Sequence, residues 1–368
     1  MKRIGLLYLG KRGSATVENL EICKTLVKDN YLYVVLSRQI ENLHEYYKLK
    51  EQYPRNLEIL AINTYSSKVD FLFRSINIFR FIEIAWKIKK QKLDFIYIQM
   101  ITYWGAILTN FLRNHKIVTA VHDPEMHAGE KDILFEILTK LCVHNSSNLV
   151  VFSSKFVDVC SRKFSFPKEK ICVLKLGGYS YYKAESYVQN NSPVKFNRIL
   201  FFGRISEYKG VGVLLEAMKK IKQNNSEIFL RIVGNGSFSE KEKLLISELG
   251  ASVEVVNRWI KDEEVESFFE NIDFVVLPYI EASQSGVVML SYAMGKSVLA
   301  TNVGALDEQI NEETGLLVES NNIDSLIRGI NKMYENDSYI KKGQKAFIYA
   351  TQEWTWCKQA EKLLNFIQ

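Results

Sequence analysis

The chain has 368 residues, a net charge of +6, and 47% hydrophobic against 24% charged residues, the balance of a folded globular protein rather than a disordered or fibrous one. That length is too great for one compact core and suits two domains. Five scattered cysteines (Cys23, Cys142, Cys160, Cys172, Cys357), never in C-x-x-C spacing, argue against a disulfide framework or a zinc site and for a reducing, cytoplasmic setting.

In chain order, Met1 to Gly10 is too short an apolar run for a signal peptide and reads as a first strand over Ile4–Leu9. Further strands are expected at Tyr31–Leu36, Phe95–Gln99, Lys116–Val121, Asn148–Phe152 and Ile171–Leu174. Phe71 to Lys92 interleaves Phe73, Ile78, Phe79, Phe81, Ile82 and Trp86 with lysines and arginines. It reads either as a core-facing helix with a solvated basic end or as an interfacial helix able to sit on an anionic membrane surface. Phe95 to Leu112 carries no charge over 18 residues, but Gln99, Thr102, Tyr103, Thr109 and Asn110 favour a strand and a short helix over a membrane span.

Residues 1–185 hold 28 Lys and Arg against 18 Asp and Glu, whereas residues 186–368 hold 20 against 24, so the first half is suited to an anionic partner. The boundary is expected in the turn-rich stretch from Gly177 to Pro193, giving domains at 1–178 and 196–345 joined by a linker at 179–195. A C-terminal helix within 346–368 either caps its own domain or crosses back to the first. Second-half strands are expected at Arg198–Phe202, Ile228–Val233, Val253–Val256, Phe274–Leu277, Val298–Thr301 and Leu316–Val318. Helices fit between them at Val211–Lys222, Ser239–Leu249, Lys261–Glu270 and Ile323–Tyr334. Strands alternating with helices specify an α/β architecture with parallel sheets, whose ligands bind at the carboxyl ends of the strands.

Two segments carry chemistry. In Phe201-Phe202-Gly203-Arg204-Ile205-Ser206-Glu207-Tyr208-Lys209-Gly210 an apolar strand runs into a loop with two cations just before a helix, a combination suited to phosphate. In Leu277 to Val288 a buried strand ends at Pro278; Glu281, Ser283, Gln284, Ser285 and Gly286 then lead into a helix, with hydroxyls able to cap it or to meet a phosphate and a carboxylate able to accept from a sugar hydroxyl. In the first half, His122, Asp123, Glu125 and His127 follow an apolar strand and could hydrogen-bond a substrate or take up a proton. No metal-ligand periodicity joins them. His44, His115 and His144 lack such a context.

These motifs together resemble the GT-B glycosyltransferases of family 4, the group 1 glycosyltransferases, most closely over residues 196–335, where Val233-Gly234-Asn235-Gly236, Gly295-Lys296-Ser297, Asn302-Val303-Gly304-Ala305 and Thr314-Gly315-Leu316 continue the pattern. The resemblance implies two doubly wound Rossmann-like domains facing across a cleft, and transfer of a sugar from a nucleotide-diphosphate donor, UDP or GDP, to a hydroxyl, with retention and without a metal or other cofactor. It places Gly203, Arg204 and Lys209 on the donor diphosphate, Gly13 in the Gly10–Ser14 loop near the donor, and His122 at the transferred sugar. Gly234, Glu281 and the 283–286 run fall on the donor side, and Trp259 and Ile260 at the nucleotide base. Departures are Leu290 or Ser291 where a second glutamate is usual, Ser297 for a proline and Ala305 for a glycine. The expected acceptor is a glycan or lipid-linked molecule of a bacterial cell-surface polysaccharide, handled in the cytoplasm or at the inner face of the membrane, with no role for nucleic acid. An epimerase, a sugar phosphorylase and a non-catalytic nucleotide-sugar-binding subunit remain as alternatives.

Overall fold

The computed structural model describes residues 1–125, 132–179, 195–224 and 227–367. His127 and nearly all of the expected linker lie outside the described residues. The described residues form two compact units: 1–125, 132–177 and 356–367 in one, 178–179, 195–224 and 227–355 in the other.

The first unit is a sheet of seven parallel strands, β1 (Arg3–Tyr8), β2 (Tyr31–Ser37), β3 (Leu57–Ile62), β4 (Phe95–Ile98), β5 (Ile117–Ala120), β6 (Asn148–Val151) and β7 (Ile171–Val173), ordered β3-β2-β1-β4-β5-β6-β7. Its helices are α1 (Ser14–Leu26), α2 (Leu43–Gln52), α3 (Lys68–Ile76), α4 (Ile78–Lys89), α5 (Tyr103–Phe111), α6 (Ile133–His144) and α7 (Lys155–Phe164). Central strands such as β4 and β5 are buried at every residue, as expected where helices cover both faces and the strand sequence is a continuous apolar run.

Strand β3 is not among the expected strands. It lies at the sheet edge with Glu58 exposed, and its Leu-Glu-Ile-Leu-Ala-Ile sequence is as compatible with a helix as with a strand; its pairing to β2 decides the matter. The Phe71–Lys92 segment is two helices broken at Asn77 rather than one. Helix α4 buries Phe81, Ile84, Ala85 and Ile88, as the core-facing reading requires, and leaves its other face exposed.

The second unit is a six-stranded parallel sheet, β8 (Arg198–Phe202), β9 (Phe229–Gly234), β10 (Val253–Asn257), β11 (Phe274–Leu277), β12 (Val298–Thr301) and β13 (Gly315–Val318), ordered β10-β9-β8-β11-β12-β13. Its helices are α8 (Val211–Gln223), α9 (Glu240–Leu249), α10 (Val265–Phe269), α11 (Gly286–Ala293), α12 (Leu306–Gln309), α13 (Ile323–Tyr334) and α14 (Ser338–Ile348). The expected Lys261–Glu270 helix is a single turn at Asp262–Glu264 followed by the short α10. The last helix, α15 (Trp356–Phe366), belongs to the first unit. There it packs on α1, and Gln359 Oε1 accepts from the Lys175 N–H at 2.9 Å.

Both sheets reverse their strand order beside their first strand. β1 lies between β2 and β4, and β8 between β9 and β11. Loops leaving the carboxyl ends on either side of such a point diverge and leave a crevice, which makes the ends of β1, β4, β8 and β11 the places to look for ligand chemistry.

Candidate functional site

At the carboxyl end of the second sheet the loops are tied to one another through the backbone. The loop after β8 lies along the loop after β9: Gly203 N–H donates to the Val233 carbonyl (2.9 Å) and Ile205 N–H to the Asn235 carbonyl (3.0 Å). Its far end meets the segment after β11, where Ile280 N–H donates to the Tyr208 carbonyl at 2.8 Å. Gly210, at φ +69°, is required at that meeting, because a Cβ there would collide with the Pro278 carbonyl. Gly234, at φ +152°, is held equally close to the Gly203 carbonyl. Asn257 closes the other side, accepting from the Gly236 N–H (3.1 Å) and donating to its carbonyl (3.0 Å).

Two cations lie on this scaffold. Arg204 is exposed at the tip of the β8 loop. Lys209 occupies a single helical turn ahead of α8, its ammonium 3.7 Å from the Tyr279 ring centroid and 5.0 Å from that of Tyr208. The two aromatic faces favour the charged ammonium and confine the flexible side chain beside the end of β11. Tyr279, which sequence reasoning did not single out, is thus a structural partner of Lys209; its only signal was an aromatic residue directly after the strand-ending Pro278.

The loop from Glu281 to Gly286 leads into α11. Glu281 is exposed, whereas Ser283 and Ser285 are buried. The Ser285 hydroxyl does not cap the helix but pairs with the Tyr279 hydroxyl at 3.2 Å. Its backbone is clamped by Gln309, whose Oε1 accepts from Ser285 N–H (2.8 Å) and whose Nε2 donates to the Ser285 carbonyl (3.2 Å). Both ends of the Gln284 amide are buried with no hydrogen-bond partner among the described residues. Such a group costs about 1–3 kcal/mol unless a ligand satisfies it. With no acidic residue in the first turn of α11 and no side-chain cap, this helix end offers free N–H groups and a positive field to an anion.

The family's second-glutamate position is closed here. Leu290 is buried, and Ser291 returns its hydroxyl to the Val287 carbonyl at 2.7 Å. Ser297 donates to the Tyr339 carbonyl at 2.9 Å, and buried Ala305 donates its N–H to the Ser283 carbonyl at 2.9 Å, so both departures are absorbed by local bonds. Trp259 is 41% exposed after β10, which leaves its face available for stacking; Ile260 is half-buried beside it. Arg258 is bound in a two-pronged ion pair to Glu264 (2.6 and 3.0 Å), which holds the Glu264 carboxyl down at about 2 and braces the turn that presents Trp259.

At the carboxyl end of the first sheet backbone bonds, such as Glu41 N–H to the Lys11 carbonyl (3.0 Å), are joined by a network of buried side chains. Gly13, at the N-terminus of α1, faces open space, and no side chain caps that helix. The flanking cations are not idle: Lys11 donates to the Tyr65 carbonyl beneath its ring, with burial pushing its pKa down, and Arg12 pairs with Glu41 at 3.2 Å. After β4, fully buried Gln99 accepts from the Tyr97 hydroxyl (2.7 Å) and donates to Glu18 (3.1 Å), a carboxylate on α1 only 2% exposed. The Gln99 backbone carbonyl lies 2.8 Å from His122 Nε2, and the His122 ring packs 4.5 Å from that of Phe152. A carbonyl can only accept, so Nε2 is the protonated nitrogen in this contact, which leaves Nδ1 to face the other way. Asp123 and Glu125 are exposed beyond it.

Sequence reading missed the Glu18–Gln99–Tyr97 network. Its only sign was polar residues set in apolar runs. Among the described residues, no group of three or more His, Cys, Asp or Glu is placed to hold a metal ion.

Residues 183–354 match the family Glycosyl transferases group 1. An uncharacterised glycosyltransferase of Methanocaldococcus jannaschii is 24% identical over 61% of this chain and 60% of its own. The capsular polysaccharide biosynthesis glycosyltransferase CapM of Staphylococcus aureus is 23% identical over 57% and 58%. The lipopolysaccharide 1,2-N-acetylglucosaminetransferase of Salmonella typhimurium is 29% identical over 45% and 46%. The chain thus spans about half the length of the curated relatives it matches. The crystal structure of Anabaena HepE with UDP and glucose superposes with a TM-score of 0.72 at 16% identity, covering 99% of both chains, so the likeness of fold takes in both units.

Proposed function

The chain carries a group 1 glycosyltransferase domain over residues 183–354 and has the fold of the GT-B enzymes, and from that premise we propose that it transfers a sugar from a nucleotide-diphosphate donor to a hydroxyl acceptor. The observation that carries the proposal is the fixed ammonium of Lys209, seated against Tyr279 between the β8 loop and the segment leading to the uncapped end of α11. As the sugar–phosphate bond breaks, negative charge collects on the diphosphate. A held ammonium, the Arg204 guanidinium and the N–H groups of α11 stabilise it there, the work a divalent cation does in other transferases. The buried Gln284 amide finds its partner on the same ligand. Trp259 stacks on the base, Ile260 flanks it, and Glu281 accepts from a hydroxyl of the donor.

By family resemblance, Gly13 and His122 act on the transferred sugar, Asp123 or Glu125 meets the acceptor, and the anomeric configuration is retained. His122, with its proton held on Nε2, presents Nδ1 as an acceptor for a sugar hydroxyl. Because HepE is crystallised with UDP and with UDP-glucose, a UDP-sugar is the first donor to try. The capsular and lipopolysaccharide relatives favour a cell-surface glycan or its lipid-linked precursor as acceptor.

The test is release of nucleoside diphosphate from a panel of UDP- and GDP-sugars, with and without lipid-linked acceptors, with chelator present throughout. Acceptor-dependent release is expected. Turnover of the donor without any acceptor points to an epimerase, a demand for free phosphate to a phosphorylase, and tight binding with no turnover to a binding subunit. The last reading draws on one feature, the buried Leu290 where a glutamate is usual.

A further inference from the structure

Helices α3 and α4 present an apolar surface that none of the described residues covers. Phe73 is 72% exposed and Ile76 and Phe79 are each 78% exposed, around the break at Asn77. Ile82 and Trp86 extend the same surface along α4. Single exposed apolar side chains are ordinary, but a contiguous patch of aromatic and aliphatic groups on two successive helices is not.

The patch is not the result of a loosely placed hairpin. Phe71 of α3 packs on Tyr65 (5.0 Å between ring centroids) and Tyr103 (5.2 Å), and Phe81 of α4 packs on Trp104 (5.1 Å) and Phe111 (6.1 Å). The Trp104 indole donates to Ser75 at 3.0 Å, and Arg80 lies over the Trp104 ring while donating to the Asn63 carbonyl. Each helix therefore has an anchored inner face, and its outer face is held outward. The same aromatic cluster reaches α6, where Phe135 packs 5.6 Å from Tyr103 and the preceding Ile133 is again exposed.

The charge around this surface decides what can cover it. Residues 68–92 hold seven Lys and Arg against two carboxylates, and the two carboxylates are already paired, Asp70 with Arg74 (2.6 Å) and Glu83 with Lys87 (2.6 Å). Of the five cations left over, Lys89, Lys90 and Lys92 lie exposed at the end of α4, with Lys90 3.4 Å from the centre of the Trp86 ring. An apolar stripe with an aromatic residue and lysines at its margin is the pattern of a helix lying in a membrane interface: side chains enter the acyl boundary while ammoniums meet headgroups. No helix of the described residues is long and apolar enough to cross a membrane, so contact would be in the plane of the surface.

The geometry points to this α3–α4 face as a docking surface for a phospholipid bilayer bearing anionic headgroups. It makes no use of the donor-binding residues. The surface begins where the chain leaves β3, at the carboxyl end of the first sheet, the same end from which Gly13 and His122 project. Docking there would bring a membrane-held acceptor to the acceptor-side loops.

The 368-residue chain is assayed for co-flotation with vesicles of phosphatidylcholine alone and of phosphatidylcholine mixed with phosphatidylglycerol, without donor. Binding to the anionic vesicles is expected, weakening as salt rises. The double variant Phe73→Ser/Phe79→Ser is expected to lose binding by at least about tenfold, since two large apolar side chains no longer enter the interface. Lys89→Gln/Lys90→Gln/Lys92→Gln is expected to lose the preference for anionic vesicles and the salt dependence. Both changes lie on outward-facing positions, so nucleoside diphosphate release with a water-soluble acceptor should be unchanged, which separates this surface from the transfer site. Failure of the wild type to float, or equal binding by the Phe73→Ser/Phe79→Ser variant, overturns the assignment. So does a concentration-dependent dimer in sedimentation that this variant abolishes, which would make the face a contact between two copies of the chain.

Discussion

The carboxyl ends of the two sheets are assembled from the same strand–loop–helix units but are fastened by different means. In the second unit the loops bond backbone to backbone, Gly203 to Val233, Ile205 to Asn235 and Ile280 to Tyr208, so side chains such as Arg204 and Trp259 remain exposed. The first unit has such backbone bonds too, as from Glu41 to Lys11, but adds a network of buried polar side chains, Glu18, Gln99 and Tyr97, with His122 resting on the Gln99 carbonyl. Backbone stitching tolerates change in whatever side chains project from it but demands glycine where two chains touch. A side-chain network makes each of its members depend on the others.

The largest expected effect lies in the projecting cations of the stitched end. Arg204→Ala and Lys209→Ala should each lower nucleoside diphosphate release by about two to three orders of magnitude, with the thermal midpoint almost unchanged. Near-normal rates in both would remove the diphosphate assignment. Next comes the stitching itself. Gly210→Ala should destabilise the protein by about 3 kcal/mol, read as a fall in the denaturant midpoint, because the new Cβ meets the Pro278 carbonyl and the residue is held at positive φ. An unchanged midpoint would show that the two loops part without cost.

The smallest effect tests the first unit. Gln99→Ala leaves the buried Glu18 carboxylate and the Tyr97 hydroxyl without their shared partner and should cost about 1–3 kcal/mol of stability, with a loss of turnover through the displaced His122. Gln99→Glu adds a pH signature. Two carboxylates in one buried site raise the folded-state pKa of the pair above its unfolded value, so the variant is most stable at low pH and loses stability as pH rises through that folded value. A variant whose stability is independent of pH between 5 and 8 would mean that the network is open to water.

These two modes of fastening also account for what could be read in advance. Every strand of the second unit is foreseen to within a residue or so, because close backbone approach leaves glycines at fixed spacings along the chain. The Glu18–Gln99 contact joins residues 81 positions apart, and neither has a neighbour that marks it. Edge strand β3 escaped notice for a related cause, since one half-exposed face carries too little apolar pattern. Trp259 shows the limit within the legible half: its place after β10 is local, but whether an aromatic residue there turns inward or outward depends on the Asn257 clamp and the Arg258–Glu264 pair.

By itself the sequence determined the α/β class, the two parallel sheets and the glycine-and-cation loop at the end of β8, because apolar periodicity, glycine placement and cation spacing are local properties of the chain. Tertiary structure alone decided that Lys209 is seated on Tyr279, that His122 keeps its proton on Nε2, that the final helix returns to the first unit and that one face of α3 and α4 stays bare. Each of these depends on which distant segments come to lie side by side, and burial and hydrogen bonding between such segments are properties of the packed molecule, not of any stretch of its chain.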